Sequence, residues 1–168
     1  SPAPAPAPPS AEERAETQKA RGNAAFKKRR YKQAIGSYGE AIRLQPANHV
    51  LWANRAAAHG CVGDWEASAL DAQACVEREP GFVKGWFRLA KARTQLKQLP
   101  AAHEAIQTGL RTAEEGAAAA AAEGAAAVGG PLEEMRALLA EIEAGLGQAE
   151  RLDGLAGADS DGGSGKGT

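Results

Sequence analysis

Residues 49–82, HVLWANRAAAHGCVGDWEASALDAQACVEREPGF, align without a gap against residues 83–116, VKGWFRLAKARTQLKQLPAAHEAIQTGLRTAEEG. Trp52 falls over Trp86 and Ser68 over Ala102. A further row, residues 15–48, keeps the register, with Pro46 over Pro80, Ala34 over Ser68 and Ala41 over Cys75. A 34-residue period of small and aromatic columns marks tandem helix–turn–helix units. Five polar residues then fall at related places: Lys19 and Asn23 at row positions 5 and 9, Asn54 at 6, Lys84 and Arg88 at 2 and 6. All lie on the first helix of a pair, so they line one shared groove.

Each row predicts two helices, over 13–28 and 32–44, 50–62 and 65–78, 83–98 and 100–115. Pro46 and Pro80 end the helical runs before them, because proline lacks the N–H and clashes with the preceding turn. Pro100 sits where a helix start tolerates it, and Gly63-Asp64 makes the turn inside the middle pair. Neither helix of a pair can bury its apolar stripe alone, so the pairs must stack. Ala34, Tyr38 and Ala41 make a buried face at 3–4 spacing, and Trp52, Trp86 and Leu89 fill the gaps between helices. Cys75, in the small-residue column, reads as core packing. Residues 131–149 supply a cap: Leu132, Met135, Leu138, Leu139 and Ile142 form one stripe, with Glu133, Glu134, Glu141 and Glu143 opposite. The expected fold is all-α, a right-handed array of three helix pairs plus this capping helix.

The flanks differ in composition. Residues 1–12 are Pro/Ala-rich and expected to be a disordered tether. Residues 117–130 are an Ala/Gly low-complexity linker, with any helix there frayed and ended by Gly129. Residues 150–168 are Gly/Ser/Asp-rich and expected to be a disordered tail. No stretch reaches about 18 apolar residues, so no membrane span is expected, and no signal peptide is visible at the N-terminus. The two thiols, Cys61 and Cys75, have no C-x-x-C spacing and no paired histidines, so neither a disulfide framework nor a metal site is expected. A reducing, cytoplasmic setting fits that usage.

The net charge of −1 conceals a division. Residues 14–111 hold 17 Lys/Arg against 8 Asp/Glu, while the remainder holds 3 against 13. A basic module between acidic flanks points to an acidic partner. Lys19 and Asn23 are neighbours on a helix surface, and Lys84 and Arg88 repeat that spacing. Three cations and two amides in one small volume suit a ligand with two close carboxylates, such as a peptide ending in aspartate. Charge-assisted hydrogen bonds of roughly 1.5–3 kcal/mol each, offset by the ordering of a peptide, imply micromolar affinity.

With these residues in view, 15–116 resembles the tetratricopeptide domains of chaperone-adaptor proteins. Those co-chaperones grip the Glu-Glu-Val-Asp tail of the 70- and 90-kDa heat-shock chaperones. The stretch Lys19-Ala20-Arg21-Gly22-Asn23 matches the family's K-x-x-G-N, Asn54-Arg55 its N-R pair, and Lys84-Gly85-Trp86-Phe87-Arg88 its K-x-x-x-R. The nearest likeness is the organising adaptor's first domain, through Asn48-His49-Val50-Leu51-Trp52-Ala53-Asn54-Arg55. The resemblance implies three tetratricopeptide repeats (15–48, 49–82, 83–116) forming a right-handed superhelix. It also implies a carboxylate clamp of Lys19, Asn23, Asn54, Lys84 and Arg88. Lys19, Asn23 and Asn54 are expected on the terminal carboxylate, with Lys84 and Arg88 on the aspartate side chain and adjacent backbone.

By the same columns, Phe26 floors a pocket for an upstream apolar residue and Ala57 leaves room for the penultimate valine. Lys91 completes a ridge with Lys84 and Arg88, and either contacts an upstream glutamate or stays solvated. Phe87 reads as groove wall or as packing under Trp86. The run Lys27-Lys28-Arg29-Arg30-Tyr31-Lys32 lies at the first turn and is not read as a nucleic-acid site. His49, His59 and His103 are dispersed, with no nucleophile or carboxylate at motif spacing, so the chain is not read as an enzyme. No cofactor is implied, and a monomer is expected. The competing reading is a scaffold that holds an internal peptide or helix within a larger assembly.

Overall fold

Ser10 starts the first helix. Its Oγ accepts from the Glu13 N–H at 3.1 Å, and its own N–H donates to Glu13 Oε2 at 2.7 Å. This reciprocal capping box satisfies two amides that a helix N-terminus would otherwise leave unpaired. Helix α1 therefore spans Ala11–Lys27 in the computed structural model, which describes residues 1–3, 7–122 and 131–158, with side chains up to residue 153. The following helices are α2 (Tyr31–Leu44), α3 (His49–Cys61), α4 (Trp65–Arg78), α5 (Val83–Gln95), α6 (Leu99–Ala122) and α7 (Leu132–Ala158). Asn48 and Asp64 cap α3 and α4 through side-chain oxygens that accept from Val50 N–H and Ala67 N–H. Such caps stabilise a helix start by about 1 kcal/mol each.

The turn inside each pair has one form. Arg29, Gly63 and Lys97 share row position 15, and all have left-handed backbones, with φ of 58°, 79° and 60°. Only the middle repeat uses glycine, the residue that adopts this conformation without steric penalty. The turn at Lys97 ends α5 at Gln95, three residues before the expected end at Gln98.

Each helix packs on the next, and α3 also touches α5, so the first helices of successive pairs line one side of the superhelix. Alanines at zero exposure (Ala34, Ala41, Ala53, Ala56, Ala72 and Ala90) let the backbones approach. Tyr38, Leu51, Leu89 and Ile106 fill the spaces between them, and Cys75 is fully buried, as its column predicts. At each boundary between pairs an indole N–H reaches back six residues. Trp52 donates to the Pro46 carbonyl and Trp86 to the Pro80 carbonyl, both at 2.8 Å. Arg78 donates to the same Pro46 carbonyl at 2.7 Å and lies 4.4 Å from the Trp52 ring centroid.

The last two helices outrun their expected limits. α6 passes residue 115 and continues through Ala122, within the span where a frayed helix ending by Gly129 was expected, and α7 continues to Ala158, nine residues beyond Ala149. Residues 150–158 are thus helical where a tail was expected, since a docked helix extends without a new nucleation cost. At the other end, helix begins at Ala11 rather than Glu13. The remainder of the expected linker (123–130), of the tail (159–168) and of the head (4–6) lies outside the described residues. α7 buries Met135, Leu138 and Ile142 against α6 and leaves its glutamates outward, as the 131–149 stripe predicts. Among the described residues, no helix is long and apolar enough to cross a membrane, and no three His, Cys, Asp or Glu side chains gather as a metal site.

Candidate functional site

Three of the five expected clamp residues meet around one cavity of about 210 Å³. α1 supplies Asn23 and Phe26, α3 supplies Asn54 and Ala57, and α5 supplies Arg88. Asn54 Nδ2 lies 3.4 Å from Asn23 Oδ1, so the two amides touch across the gap between first helices. Phe26 and Ala57, expected as groove positions, line this cavity beside them.

Arg88 dominates the electrostatics. Among the described residues its buried Nη1 has no hydrogen-bond partner. Burial lowers the pKa of the guanidinium, while nearby Cys75 and Tyr38 push it the other way. Arginine stays protonated through any such shift, so a charged guanidinium borders the cavity. Leaving a charged donor unpaired is unfavourable, and the positive charge beside the cavity favours an anion in it.

Lys84 and Lys91 are exposed and line a second, larger cavity of about 490 Å³ next to the first. Arg88 and Ala57 border both, so the two hollows form one continuous groove. Phe87 and Trp65 give the second cavity its aromatic wall. Phe87 also packs against the main core. Lys19 lines neither cavity; its Nζ sits 2.7 Å from the Glu16 carboxylate within α1. Exposed pairs of this kind are worth at most about 1 kcal/mol, so a ligand carboxylate can draw Lys19 away.

Two residues of the first cavity were not anticipated. Lys27 lines the first cavity although it reads as part of the basic run. Tyr38, read only as core, brings its hydroxyl to the cavity and donates to Asn23 Oδ1 at 2.8 Å. Burial raises the Tyr38 pKa, and the charge of Arg88 opposes that rise. Of the Asn54-Arg55 pair, only the asparagine lines the cavity. Arg55 makes a two-point ion pair with buried Asp71 at 2.7 and 2.8 Å, tying α3 to α4.

Stacked helical hairpins whose first helices converge amides and cations on a groove define a helical-repeat recognition domain. Residues 15–48 match the family model described as tetratricopeptide repeat. The second tetratricopeptide domain of Spaghetti (RPAP3), solved bound to the HSP90 peptide SRMEEVD, is 32% identical with a TM-score of 0.59. That match covers 60% of this chain and 94% of the other. The chain belongs to the tetratricopeptide-repeat family. Among curated relatives, the heat shock protein sti1 homolog of Schizosaccharomyces pombe is 42% identical over 97 residues, 58% of this chain. The Hsp70-Hsp90 organizing protein of Triticum aestivum is 41% identical over 96 residues, 57% of this chain. The chain spans 16% of the length of each of these two relatives.

Proposed function

We propose that this chain is the peptide-binding domain of a co-chaperone adaptor, and that its groove clamps the C-terminal Glu-Glu-Val-Asp carboxylates of 70- and 90-kDa heat-shock chaperones. One observation carries the proposal: Asn23, Asn54 and the charged Arg88, from three successive first helices, line a single cavity. The names of the relatives, and the chaperone peptide held by the Spaghetti domain, supply the identity of the ligand.

In this reading Lys19, Asn23 and Asn54 hold the terminal carboxylate, and Lys84 and Arg88 hold the aspartate side chain. Phe26 and Ala57 accommodate apolar ligand side chains, and Lys91 meets an upstream glutamate. Residues 13–116 act as three repeats closed by α7. The domain works in the cytoplasm by binding rather than by catalysis, with no cofactor, nucleic acid or membrane involved, and as a monomer.

Isothermal titration calorimetry with peptides ending in Glu-Glu-Val-Asp, as free acid and as amide, tests the proposal. The free acid is expected to bind with a Kd on the order of micromolar, and amidation to weaken binding at least about tenfold. Lys84→Ala with Arg88→Ala should produce a similar loss while helicity is unchanged. Equal binding of both peptides, or of neither, rejects the clamp and favours a scaffold for an internal segment.

A further inference from the structure

We infer that Tyr38 is a positioning residue that sets which end of the Asn23 amide faces the ligand, and thereby makes the groove selective for a free carboxylate. The inference rests on the clamp reading and adds to it a residue outside the five-residue set.

The geometry begins at Gly22. A Cβ built there would lie 2.5 Å from Tyr38 Cε1 and 2.7 Å from Cδ1, so only glycine admits the tyrosine ring against α1. The ring is buried to 2% exposure, and this seat places its hydroxyl 2.8 Å from Asn23 Oδ1. Asn54 Nδ2 approaches the same oxygen at 3.4 Å. Two donors therefore converge on Asn23 Oδ1, and among the described residues Asn23 Nδ2 has no partner within the chain. An asparagine amide has an acceptor end and a donor end, and in this structure the acceptor end faces Tyr38 and Asn54. Here the acceptor end is occupied inward, which leaves the NH₂ for the cavity.

A carboxylate accepts hydrogen bonds and cannot donate one. It pairs with an outward NH₂ and is repelled by an outward carbonyl oxygen. A carboxamide end carries both a donor and an acceptor, so it gains much less from a fixed amide. Tyr38 thus contributes to discrimination without touching the ligand's charge. The stretch K-x-x-G-N acquires a physical logic: the glycine admits the ring that orients the asparagine after it.

Tyr38→Phe tests this, since it keeps the ring and removes only the hydroxyl. Affinity for the free-acid peptide should fall about fivefold, the equivalent of one ordinary hydrogen bond, while affinity for the amidated peptide stays unchanged. The free protein gives a second reading. The Asn23 side-chain ¹H–¹⁵N pair should be a single, slowly exchanging set in the parent, and should shift and exchange faster in Tyr38→Phe. Equal loss for both peptides assigns Tyr38 a purely structural role and overturns the inference. So does unchanged free-acid affinity. Should the parent itself fail to distinguish the two peptides, the clamp reading falls first. The Asn23 resonances then still decide whether Tyr38 orients that amide, and an unperturbed signal in Tyr38→Phe rejects it.

Discussion

Arg88 holds stability and binding in opposition. Its guanidinium lies near Cys75 and Tyr38, and among the described residues its buried Nη1 has no partner, a state that disfavours the unliganded fold. Arg88→Met keeps the length of the side chain and removes the charge. Urea unfolding should show the variant more stable by about 1 kcal/mol, and calorimetry should show free-acid peptide binding weakened at least about tenfold. A variant both less stable and still binding would contradict this account. Arg88, Asn23 and Asn54 were legible in the sequence because a 34-residue period puts them on the same helix face whatever the packing details. Tyr38 was not, because the 3–4 stripe it shares with Ala34 and Ala41 describes a buried aromatic whether or not its hydroxyl is used. Lys27 was hidden by four cationic neighbours, which made its charge look like part of a solvated turn.

Helix α6 contains two glycines that should respond in opposite directions. A Cβ at Gly109 would meet Trp86 Cβ at 2.7 Å and Met135 Cε at 2.6 Å, where α5, α6 and α7 converge. The methionine tip can move, whereas the first carbon of a tryptophan side chain cannot. At Gly116 nothing lies within 4 Å. Gly109→Ala should therefore lower stability by about 1–3 kcal/mol through overpacking, despite alanine's better helix propensity. Gly116→Ala should raise it by about 0.5–1 kcal/mol, both read as shifts in the urea midpoint. Helix starts were legible to within two residues. The far ends of α6 and α7 were not. Their composition speaks of weak local preference, but continuation depends on a docked first half that lowers the nucleation cost. That docking becomes visible only when Met135 and Ile142 are seen buried.

Across the whole array, α7 closes what would otherwise be an open end. Met135, Leu138 and Ile142 are each at most 9% exposed, and their partners include Ala102, Ala105 and Ile106 of α6. Burial of such side chains is worth about 1.5–3 kcal/mol each at its upper limit. Deleting residues 131–158 should lower stability by at least about 3 kcal/mol. In a stack whose units touch only their neighbours, the loss should be local. Hydrogen exchange should accelerate in α6 and α5 and change little in α1 and α2, whereas uniform acceleration would show that the array unfolds as a single unit. The tryptophans give this modular character an optical side. Trp52 and Trp86 are each tied to the carbonyl of the proline before their own repeat, and Trp65 borders the larger hollow of the groove. One indole thus sits at each seam and a third beside the hollow, so variants that keep a single tryptophan would report separately on seams parting and on changes at the groove.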